Sequence, residues 1–350
     1  MRIAIIGGGI FGCTCAIRLG NNNLSTTIFE EKDDILLAAS RVNQYRLHQG
    51  YHYPRSSETV RQVRNGGKLF IKEYKDSIYT GCQNLYAIAS QGSHVNSSEY
   101  LEFLEKHSLK YKIIKNNNLL VDGSYSLLIE AEEALIDYQA QKKIVKERLT
   151  NNKYIKVKLN KKYSKDLDSE FDFIVNCTYG MGNHLLPSTL QKEYKYQLLE
   201  KIVVAPPKSL LNKSLVIVDG PFMCIDPIPQ TNLSVLGNVV HAIHKTNHGN
   251  NPSIENVPID IKPWQDIKKS EESRFNLFIS HAKNYIQNIS ESQFKYSMVG
   301  YRVLIPGLEK TDERLTSLQH SGKYINIFSG KIDTCSWAAE ELLKILKKNF

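Results

Sequence analysis

The sequence predicts an α/β fold in which a Rossmann-like nucleotide-binding domain is joined to a second, sheet-based α+β domain. Three observations carry this. A short apolar run, Arg2 to Ile6, passes at once into the glycine turn Gly7-Gly8-Gly9 and then into a helical pattern. From about Leu199 to Ile305 the chain becomes strand-rich, and after that it returns to strand, turn and helix. With 350 residues, 41% hydrophobic and 23% charged, it has the composition of an ordinary globular protein and enough length for one large core or two modest ones.

After Gly12, residues Ala16, Ile17 and Leu19 continue a helix that Asn21 to Asn23 break. Thr26 to Phe29, β-branched and aromatic, predicts a strand ending on Glu30 and Glu31, which completes a βαβ unit. Residues 41 to 57, RVNQYRLHQGYHYPRSS, have neither helical nor strand period and are a candidate functional loop. Leu85 to Ala89 predicts a strand, Tyr100 to Lys106 an amphipathic helix, Glu133 to Leu149 a longer helix, and Tyr154 to Leu159 and Phe171 to Val175 strands. In the strand-rich region the candidates are Leu215 to Val218, Leu233 to Leu236 and Tyr296 to Ile305, with DGPFMCIDPIP as strand, turn and strand and a helix near Phe275 to Ile289. At the end, Tyr324 to Phe328 is a strand, Ser329-Gly330 a turn, and Trp337 to Leu346 a helix capped by Asp333 or Thr334.

No stretch approaches the roughly 20 apolar residues of a membrane-spanning helix, and the N-terminus has no basic segment followed by a long apolar one, so a cytoplasmic location is expected. The six cysteines are scattered without CxxC spacing, which predicts reduced thiols. A net charge of +9 suits acidic substrates and leaves room for peripheral contact with an anionic membrane. Nucleic acid is not an expected partner, because the basic residues sit in mixed-charge segments without interleaved aromatics. His241, His244 and His248 lack metal-ligand spacing, and no metal is expected.

Gly7, Gly9 and Gly12 satisfy G-x-G-x-x-G across Ile10 and Phe11. The first glycine makes the tight turn, the second lets backbone approach a pyrophosphate, and the third lets helix and strand pack closely. The helix N-terminus offers free N–H groups to phosphate, and Glu30 stands where a carboxylate can meet ribose hydroxyls. The motif accepts NAD as well as FAD.

IAIIGGGIFGCTCAIRL with IFEEK, the segment Asn43 to Ser56 containing LHQGYHYPRS, FDFIVNCTYGMGN and FSGKIDT together resemble the D-amino-acid oxidase-like (DAO) superfamily of FAD-dependent oxidoreductases. The histidine-glycine-tyrosine segment is nearest to that of the L-2-hydroxyglutarate and glycerol-3-phosphate dehydrogenases. The resemblance implies FAD, bound by a non-contiguous domain (1–84, 130–198 and 312–350), and a substrate domain (85–129 and 199–311) whose sheet covers the flavin ring. It implies that Ser40 and Asn43 lie near the flavin or its diphosphate, that Thr178 and Gly180 flank it, and that Gly330, Lys331 and Ile332 aim donors at the ring's N1 and C2 carbonyl region. Cys177 and Tyr179 depart from the family's Ala-Thr-Gly, so Gly180 is expected to take over the turn. The implied catalytic residues are His48, Arg302 as a carboxylate clamp, and Tyr53. Tyr51 and His52 are expected to pack. The implied reaction is oxidation of a CH–NH or CH–OH group in a small acidic substrate, with the electron acceptor open. The alternatives are an NAD-linked dehydrogenase, or a flavoprotein domain serving RNA modification or sugar-precursor metabolism.

Overall fold

The computed structural model describes residues 1–253 and 261–348. The strand β1 (Arg2–Ile6), the helix α1 (Ile10–Gly20) and the strand β2 (Ser25–Phe29) form the opening βαβ unit. β1 lies between β2 and Phe173–Asn176, pairing in parallel with both. The full six-stranded sheet runs Ser317–Ser321, Tyr324–Phe328, Phe173–Asn176, β1, β2, Ile155–Lys158. Only the first of these strands is antiparallel to its neighbour. Ile3, Ala4 and Ile5 are fully buried, as expected for a parallel strand covered on both faces. The terminal helix Cys335–Lys347 packs beside α1, where Arg18 bridges Glu340 at 2.7 Å and Glu73 at 3.0 Å.

Nearly all the remaining strands form a second, ten-stranded sheet. Toward one edge the long strands Tyr194–Ala205 and Gln293–Leu304 pair antiparallel along almost their whole length. Within DGPFMCIDPIP only Met223–Pro227 is a strand, because residues 219–222 make the turn that pairs it antiparallel with Lys213–Val218, and Gln83–Ala89 joins the same sheet in parallel with Lys213–Val218. Tyr194–Ala205 runs across residues 198 and 199, so one continuous strand spans the expected domain boundary there.

Two helices differ from expectation. The one expected from Glu133 starts at Tyr138, because Ala134–Ile136 is a buried strand paired with Arg46–Leu47 and Ile78–Tyr79. Asp137 then caps the helix, accepting the Gln139 and Ala140 N–H groups at 3.0 Å. The helix from Phe275 ends at Ala282, after which Ile286 bridges to Leu120 and Asn288 turns the chain at φ +58°. Helix α2 (Ser57–Tyr74) carries Gly66 and Gly67 in its middle, where helix propensity is poor. The reason is packing: a Cβ at Gly66 would sit 3.1 Å from the Thr334 backbone, so α2 lies directly on the turn that opens the terminal helix.

Candidate active site

A cavity of about 940 Å³ runs between the two large sheets, from Glu30 at one end to Trp264 and Arg302 at the other. Of the residues singled out by sequence, Gly7, Gly9, Ile10, Phe11, Glu30, Ser40, Asn43, His48, Thr178, Arg302, Gly330, Lys331 and Ile332 line it. Gly12, Gly180 and Tyr53 do not.

At the glycine end, Gly7 has φ +101° and donates its N–H to Phe29 O at 2.9 Å, making the turn out of β1. A Cβ on Gly12 would stand 2.0 Å from Gly7 O, so Gly12 acts from behind the wall by letting α1 press on the turn. Gly9 is different: its Cβ would meet only Ser40 Oγ, at 3.4 Å. The space over Gly9 is therefore left open by the protein. Ser40 Oγ accepts the Ile10 N–H at 3.0 Å, and Glu30 accepts from Gly8 N at 2.6 Å and Lys32 N at 2.9 Å. Burial raises the Glu30 pKa against these two donors. Further lone pairs remain for ribose hydroxyls. Asn43 is spent on its own loop, donating to Ser40 O at 2.8 Å and accepting from Tyr45 N at 2.6 Å.

The departure at Cys177-Thr178-Tyr179 is resolved by two consecutive left-handed residues, Tyr179 at φ +57° and Gly180 at φ +83°. Thr178 Oγ1 accepts the Gly182 N–H at 2.6 Å and fixes the turn, while Gly180 O accepts the Tyr196 hydroxyl at 2.9 Å away from the cavity. Tyr179, not Gly180, reaches the wall.

The other end is charged. The loop carrying His48 is held by two carboxylates: Asp333 accepts the His48 N–H and Glu133 the Gln49 N–H, both at 2.9 Å. Arg46 from the same loop is sunk between Asp226 and Glu133 and donates to Ser214 Oγ at 2.5 Å. Burial, reinforced by the Lys331 charge, holds the His48 and His52 pKa values well below the usual histidine range. Both Nδ1 atoms are buried without a partner among the described residues. Lys331 Nζ lies 4.6 Å from the Tyr53 ring centroid, and burial with Arg314 nearby lowers its pKa to about 8. Tyr53 does not itself line the cavity, but its ring packs against Lys331 and against the His48 and His52 rings, whose centroids each lie 5.3 Å away. Arg302 makes no surface ion pair with Asp312 or Glu313; its Nε and Nη2 donate to Gln197 Oε1 at 2.8 and 2.6 Å. Burial and Arg314 lower its pKa.

Residues 2–120 match the family model DAO, FAD dependent oxidoreductase. Over 359 aligned residues the chain is 26% identical to the FAD-dependent monooxygenase FPY4 of Fusarium mangiferae, covering 98% of this chain and 90% of that protein. This chain is an FAD-dependent oxidoreductase whose residues 2–120 match the DAO family. Solved structures share its fold at low identity. Glycine oxidase from Geobacillus kaustophilus superposes with a TM-score of 0.71 at 13% identity, covering 99% of this chain and 95% of that one. L-α-glycerophosphate oxidase from Mycoplasma pneumoniae does so with 0.71 at 14%, covering 99% and 94%.

The residues of this flavoenzyme fit FAD: the open space over Gly9 suits a pyrophosphate, Glu30 retains acceptor capacity, and the cavity continues past Thr178 to Gly330 and Lys331. The sequence pattern did not single out Arg46, Lys201, Trp264 or Arg314, all of which line the same cavity, and His52 was expected only to pack. Lys201 follows the buried Glu200 in the strand segment LLEKIVVA, which has no polar and apolar alternation, so no local signal marked it. No His/Cys/Asp/Glu cluster suited to a metal occurs among the described residues, and none of their helices is long and apolar enough to cross a membrane.

Proposed function

We propose that the protein oxidises a CH–NH or CH–OH group next to an acidic group of a small substrate. The supporting observation is Arg302, a half-buried guanidinium on the cavity wall whose outer edge, Nη1 and the second N–H of Nη2, meets no acceptor among the described residues. Gln197 takes one side of the planar group and so orients it, leaving the paired donors that match a carboxylate. FAD, when bound, supplies the hydride acceptor at N5. Either His48 or His52, held neutral near pH 7 by burial, accepts the proton of a substrate hydroxyl at Nε2, since Nδ1 of both rings is sealed inside the protein. An amine substrate needs only to bind unprotonated. Lys331 and the Gly330 turn close the site beside them. The test is anaerobic mixing of the FAD-loaded protein with panels of amino and hydroxy acids. Loss of the yellow colour without added NADH or NADPH supports the proposal.

The name of the full-length fungal relative favours a second reading, oxygen insertion by a flavin that NAD(P)H must first reduce. In that case substrate alone leaves the colour intact, and NADPH consumption rises when substrate is added in air.

A further inference from the structure

Away from the Glu30 end of the cavity, three wall cations already have carboxylate partners. Arg46 is paired with Asp226 and Glu133, Arg55 with Asp219, and Arg314 with Asp312. Lys331 lies within the field of Asp333. Two others at this end are bonded to neutral amides among the described residues, Arg302 to Gln197 and Lys201 through Nζ to Gln44 Oε1, with Asp312 and Asp226 acting on them only at longer range. Gln44 is itself fixed, donating through Nε2 to Cys224 Sγ at 3.0 Å. A buried ammonium whose contacts are neutral is costly unless an anion arrives to share the site.

The sheet register places the two cations on one surface. Gln197 pairs with Arg302, Leu199 with Gly300 and Lys201 with Met298. Cross-strand partners share a face, and so do alternate residues along a strand. Leu199, Lys201 and Arg302 all line the cavity. The register offset of four residues separates the Lys201 and Arg302 backbones by about 14 Å along the strands, and their long side chains can approach each other across that gap. Burial lowers the Lys201 pKa, and the Arg302 charge adds to this against the pull of Cys224 and Asp226. Between them Gly300 has no side chain. Trp264 and Val42 fill that position instead, since a Cβ there would lie 2.6 Å from Trp264 Cζ3 and 3.1 Å from Val42 Cγ1. The middle of this surface is apolar and its two ends are positive.

We propose that the substrate carries two anionic groups, one held by Arg302 and the other by Lys201, with an apolar stretch between them lying along Leu199, Val42 and Trp264. This rests on Arg302 being the acid anchor of the proposed function. It narrows the substrate class to amino or hydroxy acids with a second acidic group at the far end of an aliphatic chain.

The experiment is calorimetric titration of the FAD-loaded protein with unreactive α,ω-dicarboxylates from succinate to suberate, each set against the monocarboxylate of the same chain length. The parent should bind at least one dicarboxylate ~10-fold or more tightly than its monocarboxylate, as expected for one added charge-assisted contact. Lys201→Met should bring that ratio to about 1, and Lys201→Arg should restore it. If Lys201→Met loses FAD, as its visible spectrum would show, Lys201→Gln serves in its place. A ratio near 1 at every chain length in the parent, or a preference that survives loss of the Lys201 charge, overturns the second anion. If monocarboxylates still bind and weaken in Arg302→Leu, the proposed function stands without it. If no acid binds the parent at all, it is the acid-anchor reading that fails.

Discussion

At the glycine end of the cavity the groups gathered on the turn are backbone N–H groups, the Ser40 hydroxyl and the Glu30 carboxylate, all from a single βαβ unit and the loop after it. At the far end it offers His48, His52, Lys201, Arg302 and Lys331, which come from separate parts of the chain and carry or can carry charge. The first end is organised by backbone geometry, so its sensitive positions are glycines. The second is organised by burial of ionisable groups, so its sensitive positions are side chains whose protonation the surroundings set.

The sharpest break in this comparison lies within the glycines themselves. Gly9→Ala should leave the FAD-free protein folded with an unchanged melting temperature, since the new methyl meets only Ser40 Oγ at 3.4 Å, yet FAD binding should fall below detection because the methyl stands where the pyrophosphate must come. Gly12→Ala should instead destabilise the protein with or without FAD, by ~2 kcal/mol or more, since its Cβ would stand 2.0 Å from Gly7 O. Thermal melts and heat-released flavin on both variants check this. Equal effects at the two positions would mean that the open space over Gly9 has no role in binding.

This contrast also explains what could be seen in the sequence. β1, the turn, α1 and β2 follow from short-range signals, an apolar run, glycines at fixed spacing and a β-branched run, and the structure places them within a residue of expectation. His48 and Arg302 were reached through resemblance of local blocks. Lys201 was not, because its meaning depends on the register of two strands almost a hundred residues apart in the chain. Arg46 likewise looked like one more loop arginine until the sheet brought Asp226 and Glu133 around it. Glu133 itself was assigned to a helix, since nothing local shows that its carboxylate is needed to hold the Gln49 N–H.

The next effect in size concerns the two histidines. Replacing the one that accepts the substrate proton with alanine should slow anaerobic flavin reduction by an alcohol substrate roughly 100-fold or more, while FAD content is retained. His48→Gln and His52→Gln, examined separately, assign the role, because glutamine preserves hydrogen bonding but cannot take up a proton near neutral pH. Full-speed reduction in both would exclude proton transfer by this loop. Below that comes Arg302→Leu, which should raise the substrate concentration needed for half-maximal reduction by roughly 30- to 100-fold, equivalent to about 2 to 3 kcal/mol. The flavin spectrum should not change, and an unaltered substrate response would exclude Arg302 as the anchor.

The smallest expected effect tests whether the charged end is strained in the way the glycine end is not. Burial raises the Asp333 pKa from 3.8 to about 7 against the opposing pull of Lys331 and the His48 N–H, and burial with Arg314 lowers that of Lys331 from 10.5 to about 8. Between about pH 4 and pH 7 the unfolded chain has released the Asp333 proton and the folded one has not. The folded state therefore binds more protons there, and stability falls as pH rises through that window. Above about pH 8 the sign reverses, because the folded protein gives up the Lys331 proton that the unfolded chain keeps until near 10.5, and stability recovers. Burial also raises the Glu133 and Asp226 pKa values, with the same sign as Asp333, so the fall belongs to all three carboxylates. Asp333→Asn keeps an acceptor for the His48 N–H and cannot ionise. Urea midpoints of the FAD-free protein at pH 5 and pH 7.5 should therefore differ less in Asp333→Asn than in the parent, by an amount on the order of 1 kcal/mol after relaxation and water entry around the charge. A parent whose midpoint does not fall between these pH values, or a variant with the same fall, would show that the charge at Asp333 is accommodated without cost and that the two ends of the cavity are alike in this respect.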